Sequence, residues 1–423
     1  MITDRAVSSD ARSVAVGRGP RAGRFGPAQA ITIELATMVA AAAFYALPLA
    51  VAIAVGAATL LVVVVSLIRV GGRWWYEAVG AWLRLRRRRQ AGSRAARAAR
   101  TVGPYRTEFA ALAPYLTIDA VLDRNASIGI GTDELGWFAA VAVWAPDWPL
   151  TTVVQGAPGQ GGGSGGSGDD PSLRLDRFAR MVAEPSAAPT AVSVVLRQAP
   201  LPSAAVDPRS ACALSYQELR TALGAPPLRE VWVAVRLGLD DGLVAADDGG
   251  GMAGIQRTLA TALSRAGAIA GSLGLDHRIL DAAELREALI GAYGPDPYDG
   301  RPVRIPPASE SWSRWRATRA VHVCFAVAGF PATLGPAVFA ELSHVPGAMA
   351  VCTAVTFTST GTPGQVGARL VVRVVAGPDA LTACLRRVRD AARGLGLRLV
   401  RLDGEQAAGV YATTPTAAPV ATR

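Results

Sequence analysis

The sequence predicts a membrane protein, with an N-terminal two-helix transmembrane hairpin followed by a cytoplasmic mixed α/β (α+β) domain. Three observations carry that reading. From Leu35 to Ile68 there are 34 residues without a charge. Pro48 divides this run near its middle. Arginine crowds both ends: Arg5, Arg12, Arg18, Arg21 and Arg24 precede the run, and Arg69, Arg73, Arg84, Arg86, Arg87, Arg88, Arg89, Arg94, Arg97 and Arg100 follow it.

As one straight helix the run would be about 51 Å long at 1.5 Å per residue. A bilayer core of about 30 Å takes about 17–25 helical residues. Pro48 removes a backbone donor and disfavours helix just before itself. The run therefore splits into Ile31–Leu47 and Leu49–Val70, each long enough to cross. Short Arg-rich flanks stay on the cytoplasmic side. Both flanks are of that kind, so the number of spans is even and both termini and the main domain are cytoplasmic. A single tilted, kinked span and a buried core helix are the alternatives. A cleaved signal peptide fits poorly, because the apolar run is too long and a polar segment of 30 residues precedes it.

The 423 residues carry a net charge of +10, which raises the question of nucleic acid. Residues 1–106 hold 16 Arg against four acids (Asp4, Asp10, Glu34, Glu77), and the remainder holds 27 Arg against 29 acids. The basic character belongs to the membrane flanks, and the rest has no global field for DNA or RNA. Lysine is absent, and the four cysteines, Cys212, Cys324, Cys352 and Cys384, form no CxxC. On the cytoplasmic side they stay reduced, and Cys324 and Cys352 sit in apolar runs as small buried hydrophobes.

Residues 1–30 are polar and aperiodic and are expected to be a disordered tail, with the hairpin at 31–70. Residues 71–104 form a basic amphipathic juxtamembrane helix. There Trp74, Trp75, Ala78, Val79, Trp82 and Leu83 recur on one helical face, and Arg73, Glu77, Arg84, Arg87 and Arg88 lie on the other. Trp and Tyr favour the headgroup level, and a basic helix with Trp on its apolar face lies along a membrane surface. Arg73, Trp74, Trp75, Tyr76, Trp82, Arg86, Arg87, Arg88 and Arg89 are therefore candidate membrane-interface residues, with membrane lipid as partner. The alternative is a helix that continues the second span into the cytoplasm with its Arg face solvated.

The α/β domain is expected over 105–413, with a Gly/Ser-rich insertion at 155–170 and a disordered tail at 414–423. Strand patterns fall at Leu116–Leu122 and Trp137–Trp144, read as a hairpin around a loop at Asp123–Gly136. Further strands are read at Ala191–Arg197, Glu230–Leu239, Leu275–Leu280, Ala320–Ala328, Met349–Thr358, Ala368–Ala376 and Leu397–Leu402. Helical patterns fall at Asp170–Ala183, Gly251–Leu273, Ala282–Ala292, Gly335–Leu342 and Asp379–Gly394. Interleaving of this kind suggests a layered domain, and no internal repeat is visible.

No pattern points to catalysis, a cofactor or a metal. Gly162-Gly163-Ser164-Gly165-Gly166 matches G-x-S-x-G literally, but it sits in a linker and not between a strand and a helix. His277, His322 and His344 have no metal-ligand spacing, and without Lys a Walker A motif is impossible. Asp240, Asp241, Asp247 and Asp248 run into three glycines, which offers carboxylates to a divalent cation or Gly backbone to a phosphate before a helix but lacks the EF-hand pattern; a solvated acidic turn capping the next helix is the better reading. The SWSRWRATR stretch offers Trp312, Trp315 and Arg316 either as partner-contact anchors or as packing against the sheet.

The order of an Arg-rich tail, a tight apolar hairpin, the GRWWYEAVGAWLRLRRRR helix, the YRTEFAALAPYLTIDAVLDR segment and a Gly-rich loop ending at Gly136-Trp137 resembles EccE. EccE is a membrane component of the actinobacterial type VII (ESX) secretion system. Gly409 to Tyr411 before Ala412-Thr413-Thr414-Pro415 resembles that family's ending, with Thr414 where Leu is expected. The resemblance implies a non-enzymatic structural subunit in the bacterial inner (plasma) membrane. It implies EccB, EccC and EccD as partners, with EccC supplying the ATPase activity. A membrane-anchored cytoplasmic transferase acting on a lipid-linked substrate is the alternative function.

Overall fold

The computed structural model describes residues 15–17, 27–70, 73–99, 111–123, 126–144, 174–183, 189–200, 209–223, 228–293, 308–317, 320–328, 336–360 and 365–420. The Gly/Ser insertion expected at 155–170 and most of the tail expected at 1–30 lie outside them. Within that tail, β1 (Ala15–Gly17) pairs in parallel with Gln365–Gly367 of a later strand, so this part is ordered against the expectation.

Two apolar helices follow, α1 (Pro27–Ala46) and α2 (Leu49–Ser66), packed against each other. Pro48 separates them as expected. It has extended ψ, and its carbonyl accepts from the Val51 and Ala52 N–H groups that open α2. Of the α2 side chains only that of Ala52 is buried, while Ile53, Leu60 and Leu61 are more than 60% exposed. A short antiparallel pair, β2 (Arg69–Val70) with β3 (Arg73–Trp74), then reverses the chain into α3 (Trp75–Ala99). The juxtamembrane helix is thus a separate helix and does not continue α2.

The rest of the chain winds one large sheet. In order come β4 (Thr117–Asp123), β5 (Ala126–Asp133), β6 (Gly136–Trp144), α4 (Leu175–Ala183), β7 (Ala191–Ala199), α5 (Ala211–Leu223) and β8 (Leu228–Gly238). Next are α6 (Leu239–Gly249), α7 (Met252–Ser272), β9 (Asp276–Ile279) and α8 (Ala282–Tyr293). Then come β10 (Ser309–Glu310), β11 (Trp315–Arg316), β12 (Val321–Ala328), α9 (Pro336–Ser343), β13 (Ala350–Ser359), β14 (Gln365–Ala376), α10 (Leu381–Gly394), β15 (Arg398–Arg401) and α11 (Gln406–Ala412). The loop expected at Asp123–Gly136 is largely strand β5, and the acidic turn expected after Asp240 is helix α6. Helix α5 has no counterpart in the sequence reading.

The sheet is an internal duplication. In the first half β9 pairs β6, β6 pairs β8 and β8 pairs β7, all antiparallel. In the second half β15 pairs β12, β12 pairs β14 and β14 pairs β13, again antiparallel. Each half is a β-α-β-β-α-β unit with sheet order four-one-three-two, the ferredoxin-like arrangement. The register repeats too. Trp232 pairs with Val195 and Ala142, and Ala142 with Arg278. Correspondingly, Val371 pairs with Ala354 and Ala326, and Ala326 with Val400. A leading strand pair, β4–β5 or β10–β11, shares the outer edge of each unit's first strand, and a trailing helix, α8 or α11, follows each unit. The halves join where Val195 pairs with Ala354, which places an approximate two-fold axis at that pair.

Helices cover both faces, which explains the near-continuous apolar strands. On one face Phe178 and Met181 of α4, Leu259 and Leu263 of α7, Leu342 of α9 and Val388 of α10 pack on Val233, Val355 and Val372. On the opposite face Leu285 and Leu289 of α8 pack near Phe138 and Val195, and Val410 of α11 near Cys324 and Val371. Each fully buried Val, Leu or Phe contributes about 1.5–3 kcal/mol. The disordered tail expected at 414–423 is corrected through Val420. Thr414, Thr416, Ala417, Ala418 and Val420 are buried, and Ala417 packs with Ala354 at the join between the units. Small side chains let this segment fit under the sheet.

Candidate functional site

The candidate site lies where the segment that follows the two apolar helices meets the domain. Helix α3 has two faces. Ala81 and Leu85 are buried, Arg84 and Arg88 lie one turn apart beside them, and Gly92 comes so close to Ala111 that a Cβ would sit 2.9 Å from its carbonyl oxygen. Spacings of three, four and seven put these residues on one side of a helix. That side docks on the second unit. Arg88 donates from Nε and Nη2 to both Glu310 carboxylate oxygens at 3.2 Å, and from Nη2 to the Gly404 carbonyl. Arg89 donates to the Glu310 carbonyl at 2.6 Å, and Arg84 pairs with Glu405 at 3.3 Å. The Glu310 side chain is only 3% exposed and also accepts from the Ala407 N–H. A charge-assisted bond of this kind contributes about 1.5–3 kcal/mol, more than a solvated surface pair.

The other side of α3 remains bare. Val79, Trp82 and Leu83 are each more than 40% exposed, Arg86 and Arg87 are exposed, and the Arg86 guanidinium lies 5.6 Å from the Trp82 ring centroid. Of the candidate interface residues, Trp82, Arg86 and Arg87 thus share the free face. Arg88 and the Arg89 Nε are taken by the domain, which corrects their assignment to lipid. Arg73 and Trp74 form β3 and Trp75 and Tyr76 open α3; their side chains lie outside the described residues.

The partner-contact reading of the Trp pair is corrected in part. Trp315 is 3% exposed, and its indole N–H donates to the Tyr293 hydroxyl at 3.0 Å. It is packing, the other reading of that stretch. Trp312 is half-buried beneath Gly404, whose added Cβ would lie 2.8 Å from the ring, and Arg316 is exposed. Gly404 has φ +75°, so both its backbone conformation and the ring above it call for glycine.

Among the described residues three buried arginines, Arg197, Arg236 and Arg373, stand on the face opposite α4 and α7, and the sequence reading singled out none of them; Arg197 pairs with Glu230. Arg236 of β8 makes a bidentate pair with Asp133 at 2.7 Å and donates from Nε to the Thr416 carbonyl at 3.0 Å. Tyr411 donates to the same carboxylate at 2.5 Å, and the Leu135 N–H at 2.8 Å. Burial alone would raise the Asp133 carboxyl. The Arg236 bonds and charge, with Tyr411 and Leu135, outweigh it and hold the carboxyl below its usual range. Burial, and then the Asp133 charge, push the Tyr411 hydroxyl well above its usual value.

Arg373 of β14 is fully buried and donates to the Ala292 carbonyl and to Cys352 Sγ, while its Nε and Nη1 have no partner among the described residues. His322 is also fully buried. Neither ring nitrogen has a partner among the described residues, and the ring stacks on Tyr293 at 5.8 Å. Burial, and then the Arg373 charge, push its pKa well below the usual value, so the ring stays neutral. Burial raises the Cys324 thiol to about 12, which leaves it unreactive. Among the described residues no group of three or more His, Cys, Asp or Glu side chains is placed to hold a metal ion.

Charged groups tie α3 to the second unit, and the first unit to residues 411–416. No curated protein sequence matches the chain. Residues 225–327, running from the start of β8 through β12, match the family model described as "Putative type VII ESX secretion system translocon, EccE", and over that stretch the resemblance to EccE is borne out.

Proposed function

We propose that this chain is a non-enzymatic structural subunit of a type VII secretion membrane complex, anchored in the inner membrane by α1 and α2 with its main domain in the cytoplasm. The observation that carries the proposal is how the hairpin is tied at both ends. β1, which precedes the hairpin, pairs with β14, and α3, which follows it, docks on Glu310 and Glu405. Both ends therefore return to one domain, as an even number of crossings requires. The exposed apolar faces of α1 and α2 suit lipid, since about 25 cal/mol is lost per Å² of such surface left in water. In this reading Trp82, Arg86 and Arg87 meet the headgroups. Arg73, Trp74, Trp75 and Tyr76 at the start of the helix join them, and EccB, EccC and EccD are the neighbours. Nothing in the geometry favours a transferase.

Two measurements test this. Cysteine labelling at residues 20 and 110 should place both on the cytoplasmic side; opposite sides would sink the hairpin. The chain should also leave the membrane in mild detergent within a complex far larger than its own 43.7 kDa. A lone monomer whose function is abolished by His322→Ala, with the fold intact, would point to an enzyme instead.

A further inference from the structure

Helix α6 is held rigidly and yet leaves an unusual face in water. Gly242 rests on the Trp137 ring so closely that a Cβ would lie 2.2 Å from it. Gly249 crosses Gly254 of α7, where a Cβ would lie 2.3 Å from the Gly254 Cα. Thr190 donates to Asp241 at 2.5 Å and accepts from the Gly238 N–H at 2.6 Å. Ala245 and Ala246 turn inward to the core.

The outward face carries Leu239, Leu243 and Val244 at 50%, 66% and 61% exposure, and Met252, which opens α7, is 52% exposed. Asp240, Asp247 and Asp248 are exposed on the same face and make no ion pair with any described residue. At 100° per residue, Leu239 and Leu243 are followed around the helix by Asp247 and Asp240, then Val244, then Asp248. Helix propensity does not account for this choice, since Asp, Val and Gly are poor helix formers beside Ala, Glu or Lys. Burial does not account for it either, because these side chains are in water. Interleaved apolar and acidic side chains on a fixed helix suit a partner of opposite charge.

We propose that this face of α6 docks a basic amphipathic helix of another protein subunit, two to three turns long, with Arg or Lys flanking large apolar side chains. Anionic lipid and nucleic acid are disfavoured by three uncompensated carboxylates. In a second copy, α10 exposes Arg386, Arg387, Arg389 and Arg393 without an exposed large apolar side chain, whereas the bare face of α3 carries both and lies against the membrane in the function proposed above. The inference rests on that function, because it names one surface through which the subunit joins its neighbours.

The test is a photo-crosslinking residue at position 243 of the full chain in native membranes, with the attached peptide identified by mass spectrometry. The expected product joins position 243 to a peptide of a different protein that carries at least two Arg or Lys beside large apolar residues. Asp247→Arg with Asp248→Arg should cut its yield about fivefold or more, as weak attractions become repulsions. Salt should also lower the yield, because exposed charge pairs are screened. The double variant should keep the wild-type thermal transition, since both carboxylates are solvated; the Leu243→Ser, Val244→Ser chain gives a second route to the same loss. Attachment to a second copy, to lipid or to an acidic peptide overturns the inference. So does an intact large complex with no product at position 243, which leaves the structural-subunit reading standing. Loss of both complex and product overturns both.

Discussion

The two repeated units share a topology and a buried guanidinium on the same strand and face, but they treat that charge differently. In the first unit the leading strand pair supplies Asp133, and Arg236 is matched by a bidentate carboxylate, a carbonyl and the Phe138 ring at 5.0 Å. In the second unit the leading pair also supplies a carboxylate, Glu310, but it faces Arg88 of the membrane-proximal helix. Arg373 is left with a carbonyl and a thiol. The first unit is closed on itself, while the second has committed its acid to α3. The same scaffold thus serves two placements of one carboxylate.

The largest effect is expected from Asp133→Ala, which leaves Arg236 buried without its ion pair. It should lower stability by about 3–5 kcal/mol in denaturant titration. A cost below 1 kcal/mol would mean that the pair is not closed in solution. Arg373→Met should be neutral or stabilising, by up to about 1–4 kcal/mol, because it removes a buried charge that lacks a counter-ion among the described residues. If it were as damaging as Arg236→Met, the contrast between the units would be gone.

Acid should separate the units by pH. His322 has a folded pKa below its unfolded value of about 6.5. Its contribution is complete above that value and falls as the pH drops below it, by at most about 1.4 kcal/mol per unit. Asp133 is likewise depressed, from about 3.9, so its contribution persists until the pH falls below that value. Thermal scans from pH 8 to 3 should show a first loss that His322→Phe removes and a second that it leaves. A single loss unaffected by the substitution would contradict the buried neutral ring. The smallest loss of stability at neutral pH is Tyr411→Phe, expected at about 1.5–3 kcal/mol for one hydrogen bond to a carboxylate. Because the Tyr411 pKa is raised, that bond's contribution is full below the unfolded value of about 10 and is lost as pH rises through the folded one. Wild type and variant should therefore converge in strong alkali.

Much of this fold was legible. Pro48 and the charge-free run located α1 and α2, and strands buried on both faces announced themselves as apolar runs. The misses have physical reasons. β5, with the sequence ASIGIGTD, has glycines where Asp281 and the Phe138 ring press close, so it looked like a loop. α6 carries four Asp and ends in glycines, and neither its seat on Trp137 nor its partnerless face is visible without the sheet. The duplication is one of register, not of side chains: Trp232 answers to Val371 and Arg278 to Val400. For the site, period alone put Trp74, Trp75, Trp82 and the Arg residues on faces, but only the structure shows which of them meet Glu310. Trp315 stayed open between contact and packing because a Trp beside Arg reads alike whether it points outward or onto Tyr293.

Arg236 reaches the Thr416 carbonyl across 180 residues of sequence. The first unit's own strands are complete at Ile279, yet the lid over its buried pair comes after the entire second unit. At about 5–20 residues per second of synthesis, the strands of the first unit precede residues 411–416 by on the order of ten seconds. A truncation that keeps every strand of it, but omits residues 411–420, would carry an open polar seam where the full chain has a sealed one.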